Sequence, residues 1–198
     1  MNMNAQSQLN PSGEYYLQGV METASGFKLD KDSSFQFFFS YGALDRFGNG
    51  KWSVEGNRVV LNSIDKHTSD FALVQSKKQP GNNVTIKFVD INPSMLRHIY
   101  CVIEDGDKMQ EALGNNNGII SMNIQPVDSI TLAFEFCPEK KSVLKMTAKD
   151  HNYFEVRFEP WIMEVLFENF SLEISEQGLQ GKHPLLQDKI YFFEKTPN

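Results

Sequence analysis

Few of the features that announce a function are present in this chain. Two cysteines in 198 residues cannot build a disulfide framework. No run of 18 apolar residues occurs, so nothing reads as a membrane-spanning helix. The opening "MNMNAQSQLNPSGEYY" has neither a basic n-region nor an apolar h-region. The protein is therefore expected in the cytoplasm, or exported and periplasmic if a leader precedes this sequence. Basic charge is scarce: 19 Lys and Arg stand against 25 Asp and Glu, for a net charge of −6. The closest approaches to a basic cluster are the pairs Lys77-Lys78 and Lys140-Lys141. Binding a phosphate backbone needs more than that, so nucleic acid is not an expected partner.

The motifs of common chemistries are missing as well. There is no G-x-S-x-G elbow, no phosphate-cradling glycine loop and no dinucleotide fingerprint. His67, His98, His151 and His183 lie far apart, without zinc-site spacing, and read as surface histidines. "DKDSS" (residues 30–34) opens like a calcium loop but lacks its glycine and terminal glutamate, so a hairpin turn is expected. "DKHTSD" (65–70) gathers Asp, His and Ser within one short polar loop, whereas a working triad is assembled from distant segments. His98 and Cys101 fall on opposite faces of one strand. No catalytic residue, metal or cofactor is expected from these patterns.

What is present is a period of two. Phe35, Phe37, Phe39 and Tyr41 alternate with Gln36, Phe38 and Ser40. Val84, Ile86 and Phe88 alternate with Thr85 and Lys87, and Phe154, Val156 and Phe158 alternate with Glu155 and Arg157. Strands that bury one face and wet the other are the habit of antiparallel sheets. Turn signals such as "LDKDSS", "EGN" and "GNNNG" separate them at hairpin intervals. The 16 Phe suit pleated, half-buried surfaces. The expected fold is all-β, an antiparallel sandwich or meander in two β-units with little helix.

Four local expectations follow. "WIMEVLFENFSLEIS" (161–175) is read as one long strand with a β-bulge near Glu168-Asn169. In "SITLAFEFCPE" the apolar alternation puts Cys137 on the wet face, opposite the face that buries Cys101 in "RHIYCVIE", so two free thiols are expected. A polar stretch around Pro80-Gly81 suggests a division into a flexible N-terminus (1–12), a first β-unit (13–75), a linker (76–83) and a second β-sandwich domain (84–198). "SYGALDRFGNGKW" is read as a glycine-freed connection with Asp45-Arg46 at its apex. There Tyr41, Asp45, Arg46, Phe47 and Trp52 form the candidate rim for a small polar ligand, beside the simpler reading of a corner between strands.

"YYLQGVMETASGFKL…FQFFFSYGALDRFGNGKWSVEGNRVVLNS" resembles the opening of a group of uncharacterised bacterial proteins. These join a lipocalin-like β-meander to a second β domain of transthyretin-like or carboxypeptidase-regulatory type. The likeness covers residues 13–63, and strand order and "LFENFSLEIS…KIYFFEK" extend it over 83–198. It implies a bacterial source and two β-units, and it brings no catalytic residue; members of the group often carry export signals. The expected function is non-catalytic binding of a protein or small-molecule ligand at a sheet edge or between units. The alternatives are a hydrolase acting on glycan or peptide with a site assembled between the units, and a structural component of the cell envelope. An exposed edge such as "SITLAFEF" would be covered by the other unit or by a second copy, giving a homo-oligomer.

Overall fold

The computed structural model describes residues 10–89, 92–124 and 126–197; the expected flexible N-terminus lies mostly outside these, and only residues 10–12 of it fall among them. The fold is all-β, as the alternation requires: the described residues form sixteen strands and one four-residue helix, α1 (Pro93–Leu96). No helix among the described residues is long and apolar enough to cross a membrane.

The chain forms two compact units, divided differently from the expectation. One unit takes the residues up to Lys66 together with Met163 onward; the other is His67–Ile162. The expected linker at 76–83 lies inside the second unit. Its loop is fixed by buried Asn152, whose side chain accepts from the Gln79 amide (2.7 Å) and donates to the Gln79, Gly81 and Asn83 carbonyls. Pro and Gly marked a turn there, not a boundary.

The first unit is a closed antiparallel barrel. Its strands are β1 (Gly13–Leu17), β2 (Thr23–Leu29), β3 (Ser34–Tyr41), β4 (Leu44–Glu55), β5 (Arg58–Asn62), and then, a hundred residues on, β14 (Phe170–Ile174), β15 (Gly178–Lys182) and β16 (Ile190–Lys195). An eight-stranded barrel has an interior that side chains can fill, and here phenyl rings occupy much of it. Phe27, Phe35, Phe37, Phe39 and Phe193 point inward from their strands and are buried. Phe167 sits among them, with ring centroids 5.1 Å from Phe35, 5.3 Å from Phe37 and 5.3 Å from Phe170, edge to face.

Phe167 belongs to the segment expected to be one bulged strand, and that expectation is corrected. Residues 161–163 turn, Glu164 makes one isolated bridge to Phe47, and regular pairing begins only at Phe170. The break carries Asn169 in the left-handed region, φ 50°. A hydrogen bond from Val165 N to Phe47 O (2.6 Å) lays this segment along the half of β4 that β5 does not reach, and one from Ser63 N to Phe167 O (2.9 Å) ties it just beyond the end of β5. Of two inward glycines on β4, Gly48 makes room for it and Gly50 for β3 and β5. A Cβ on Gly48 would meet the Phe167 ring at 2.6 Å, and one on Gly50 the Phe35 ring at 2.7 Å.

The second unit is a sandwich. One sheet has the order β10 (Ile119–Met122), β7 (Val84–Phe88), β13 (Tyr153–Phe158), β6 (Phe71–Lys77). The other has β12 (Cys137–Lys145), β11 (Ser129–Phe134), β8 (Ile99–Asp105), β9 (Lys108–Leu113). All pairs are antiparallel except β7 with β13. The faces meet where Phe134 packs on Phe158 at 4.9 Å. Neither cysteine forms a disulfide, as expected, but Cys137 is buried. A two-residue turn at Glu135-Phe136 reverses the chain and sets Cys137 opposite Phe134, on the face where Phe134 is buried. "SITLAFEF" is no edge either, because β11 is paired on both sides.

Candidate functional site

The "SYGALDRFGNGKW" stretch is not an open loop. Gly42 (φ 59°) and Ala43 make a two-residue hairpin turn, Tyr41 pairs with Leu44, and β4 has begun before Asp45. Strand alternation then separates the five candidate residues. Asp45 and Phe47 face outward; Asp45 accepts from the Ser40 hydroxyl at 2.5 Å, and Phe47 is 48% exposed. Arg46 and Trp52 face inward. Arg46 is only 3% exposed and donates Nε–H to Met163 O at 2.9 Å, and the Trp52 indole N–H donates to Asp30 O at 3.0 Å. Tyr41 stands exposed at the hairpin. They do not line one rim: an apex was read where the backbone keeps alternating.

The inner wall near that hairpin is nevertheless polar. Ser25, Phe39 and Arg46 are neighbours in register across β2, β3 and β4. On the opposite face of β4, Glu164 is bridged to Phe47, accepts from Asn49 Nδ2 at 3.1 Å and is buried. His183, read as a surface residue, is in fact 5% exposed. It lies among Phe37, Phe39, Tyr191 and Phe193, with ring centroids 5.5–6.0 Å away. Desolvation lowers its pKa to about 4, so the ring is neutral at pH 7.

The hydrogen bonds fix its tautomer. The Leu185 amide donates to Nδ1 at 3.0 Å, so Nε2 carries the proton and donates it to Ser25 Oγ, also 3.0 Å away. Ser25 donates its own proton to Phe38 O at 2.7 Å. A serine beside a histidine suggests an activated nucleophile, but the direction here is the reverse. The imidazole lone pair is occupied and cannot take a proton from Ser25. The group closes one end of the barrel. The sequence signal for it was a lone His between Lys182 and Pro184, indistinguishable from a loop residue.

The other histidines are satisfied locally. His67 stacks on Trp161 at 3.9 Å, His98 Nδ1 lies 2.7 Å from Glu135, and His151 Nδ1 lies 2.9 Å from Ser76 Oγ.

Two surface features have no such internal purpose. On the outer barrel wall Tyr16, Gly26, Phe38 and Phe47 are consecutive register partners across β1 to β4. The three rings are each about two-fifths to one-half exposed, and Tyr16 meets Phe38 edge-on at 5.9 Å. Polar rows flank them: Glu14, Lys28, Gln36 and Asn49 on one side, Ala24, Ser40 and Asp45 on the other.

The second feature is the β9 edge of the sandwich. The Gly114 amide donates to Ile99 O at 2.9 Å, which sets the phase of the β8–β9 ladder. Gln110 and Ala112 therefore turn their main-chain groups to β8, and Met109, Glu111 and Leu113 turn theirs away. Beside this edge is a cleft of about 680 Å³ lined by Lys108, Met109, Gln110, Asn123 and Ile124 among others. The other edges are blunted. β6 has a register shift at Val74, β12 carries Lys140, Lys141 and Lys145, and β10 has four residues.

In comparisons with protein-family models, with curated proteins and with solved structures, nothing matches this chain.

Proposed function

We propose that the protein acts by binding, and that its partner is an extended peptide segment added as a strand along β9. The carrying observation is the row of outward main-chain groups at Met109, Glu111 and Leu113. Such an edge offers hydrogen bonds to any extended chain, and the alternating side chains set the preference. Met109 and Leu113, both about three-fifths exposed, offer apolar contacts on either side of Glu111. That pattern suits a segment with apolar residues flanking a basic one.

The test uses peptides selected on the folded protein from a random display library. Bound peptide is expected to slow amide exchange at Met109, Glu111 and Leu113. Glu111→Pro removes one outward N–H without touching the ladder to β8, and is expected to abolish binding. Peptides that bind wild type and Glu111→Pro equally would overturn the reading.

The outer aromatic row favours a second reading, a small polar ligand held against Tyr16, Phe38 and Phe47, since such sites pair aromatic walls with a few polar groups. Ligand-induced shifts confined to these rings would support it over the strand reading. A lipocalin-like origin for the barrel and a transthyretin-like one for the sandwich belong to the same proposal; barrel closure and two-sheet layering are what support them.

A further inference from the structure

The loop 183–189 between β15 and β16 covers one end of the barrel. Leu185 and Leu186 pack on the core, as do Leu17 of β1, Val20 of the β1–β2 turn and Leu44 after the β3–β4 turn. His183 adds a polar hold: Nδ1 accepts from the Leu185 amide and shapes the loop from within, and Nε2–H ties it to Ser25 on β2. Both ring nitrogens are committed, one accepting and one donating. That arrangement exists only for the neutral ring.

The geometry points to an acid-released plug: protonation of His183 costs the ring its bond to the Leu185 amide and leaves a charge buried among aromatic rings, so the ring is driven into water and carries loop 183–189 away from that end of the barrel. A proton on Nδ1 turns the acceptor into a second donor aimed at an N–H, with no acceptor in reach along that bond. The surroundings offer the new charge little. β2 presents the Ser25 hydroxyl, β3 presents Phe37 and Phe39, and β16 presents Tyr191 and Phe193. The charged side chain in register with this wall is Arg46 on β4, a second cation, whose Nε–H donates to Met163 O; Glu164 is bridged to outward-facing Phe47 and accepts from Asn49 on that face. Outside, Lys182 pairs with Asp188 at 2.7 Å, and Lys189 lies over the Tyr191 ring at 5.0 Å; neither contacts the imidazole. Ring faces attract a cation weakly, less than burial of this one costs.

The sign follows from linkage. The open loop leaves the ring near its ordinary value of 6.5, and the closed loop holds it near 4. Closure is therefore fully favourable above pH 6.5 and weakens as pH falls toward 4, where the opening constant has risen about a hundredfold over its value at pH 7.

The experiment is amide exchange, corrected for its intrinsic pH dependence, beside an NMR titration of the His183 ring in the full chain. Protection at Leu185 is expected to fall about a hundredfold between pH 7 and pH 4, while Phe193 in β16 stays protected. His183→Gln keeps a donor for Ser25 and cannot titrate, so its Leu185 protection is expected not to change with pH. If that variant fails to fold, the wild-type titration still decides. A ring that titrates near 6.5, protection at Leu185 that persists through ring protonation, or simultaneous loss at Phe193 would each overturn the plug.

Discussion

The barrel and the sandwich solve the same problem, hiding one face of every strand, in opposite ways. The barrel closes on itself, leaves no edge, and is assembled from two pieces of chain separated by 96 residues. Its interior is mainly phenyl, with the polar set Ser25, Arg46 and His183 walled in at one end. The sandwich is one continuous stretch, its core is largely aliphatic with two thiols, and it ends in four edges. Closure removes a barrel's main-chain groups from the reach of partners; an open sandwich has to blunt its edges one by one, and here β9 is left sharp.

The hardest way to break this contrast is to end the chain at Ile162. The barrel loses β14, β15 and β16 and is expected not to form, while the sandwich, whose ends pair at Phe71 and Phe158, keeps its cooperative melt. Circular dichroism and amide exchange on the shortened chain check this. Next is Phe167→Ala, which empties the ring at the centre of the barrel and is expected to cost about 3–5 kcal/mol in denaturant titration, without loss of protection in the sandwich. Smaller is the difference between neighbours on β4. Arg46→Ala takes a donor from the buried Met163 carbonyl and is expected to cost about 1–3 kcal/mol, whereas Asp45→Ala, on the wet face, is expected to leave the midpoint unmoved. The smallest effect concerns the thiols. Burial raises Cys101 to about 12, and both cysteines are buried. A disulfide-exchange reagent at pH 8 is expected to find none in the folded protein and both once denatured.

Strand alternation carried most of the fold. Phe35, Phe37, Phe39, Val84, Ile86, Phe154 and Val156 are buried as their spacing predicts. Alternation failed where the chain turns without a glycine. Glu135-Phe136 carries no turn signal, so Cys137 was assigned to the wrong face. It also misled where glycine marks close approach instead of a turn: Gly48 and Gly50 admit a ring and a neighbouring strand, but in sequence they look like a loop. The division into units was illegible for a different reason. Nothing in "FSLEIS" or "KIYFFEK" states that these strands pair with β5 and β1, since a pairing between segments more than a hundred residues apart leaves no local pattern in either. The candidate ligand rim dissolved for a local cause, a two-residue hairpin where a longer one was expected. His183 stayed hidden because tautomer and burial are properties of neighbours brought from 158 residues away.

The hydrogen bond from Ser63 to Phe167 marks a doorway through which the chain leaves the barrel and comes back. During synthesis the first five barrel strands emerge with their phenyl faces bare and must wait for the last three. The sandwich, complete by Ile162, is free to fold in that interval, as domains emerging from a ribosome commonly do one at a time. On nascent chains stalled with residue 170 just outside the exit tunnel, protease should spare His67–Ile162 and cut before it. The three strands translated after the sandwich are thus the ones that rescue the five before it.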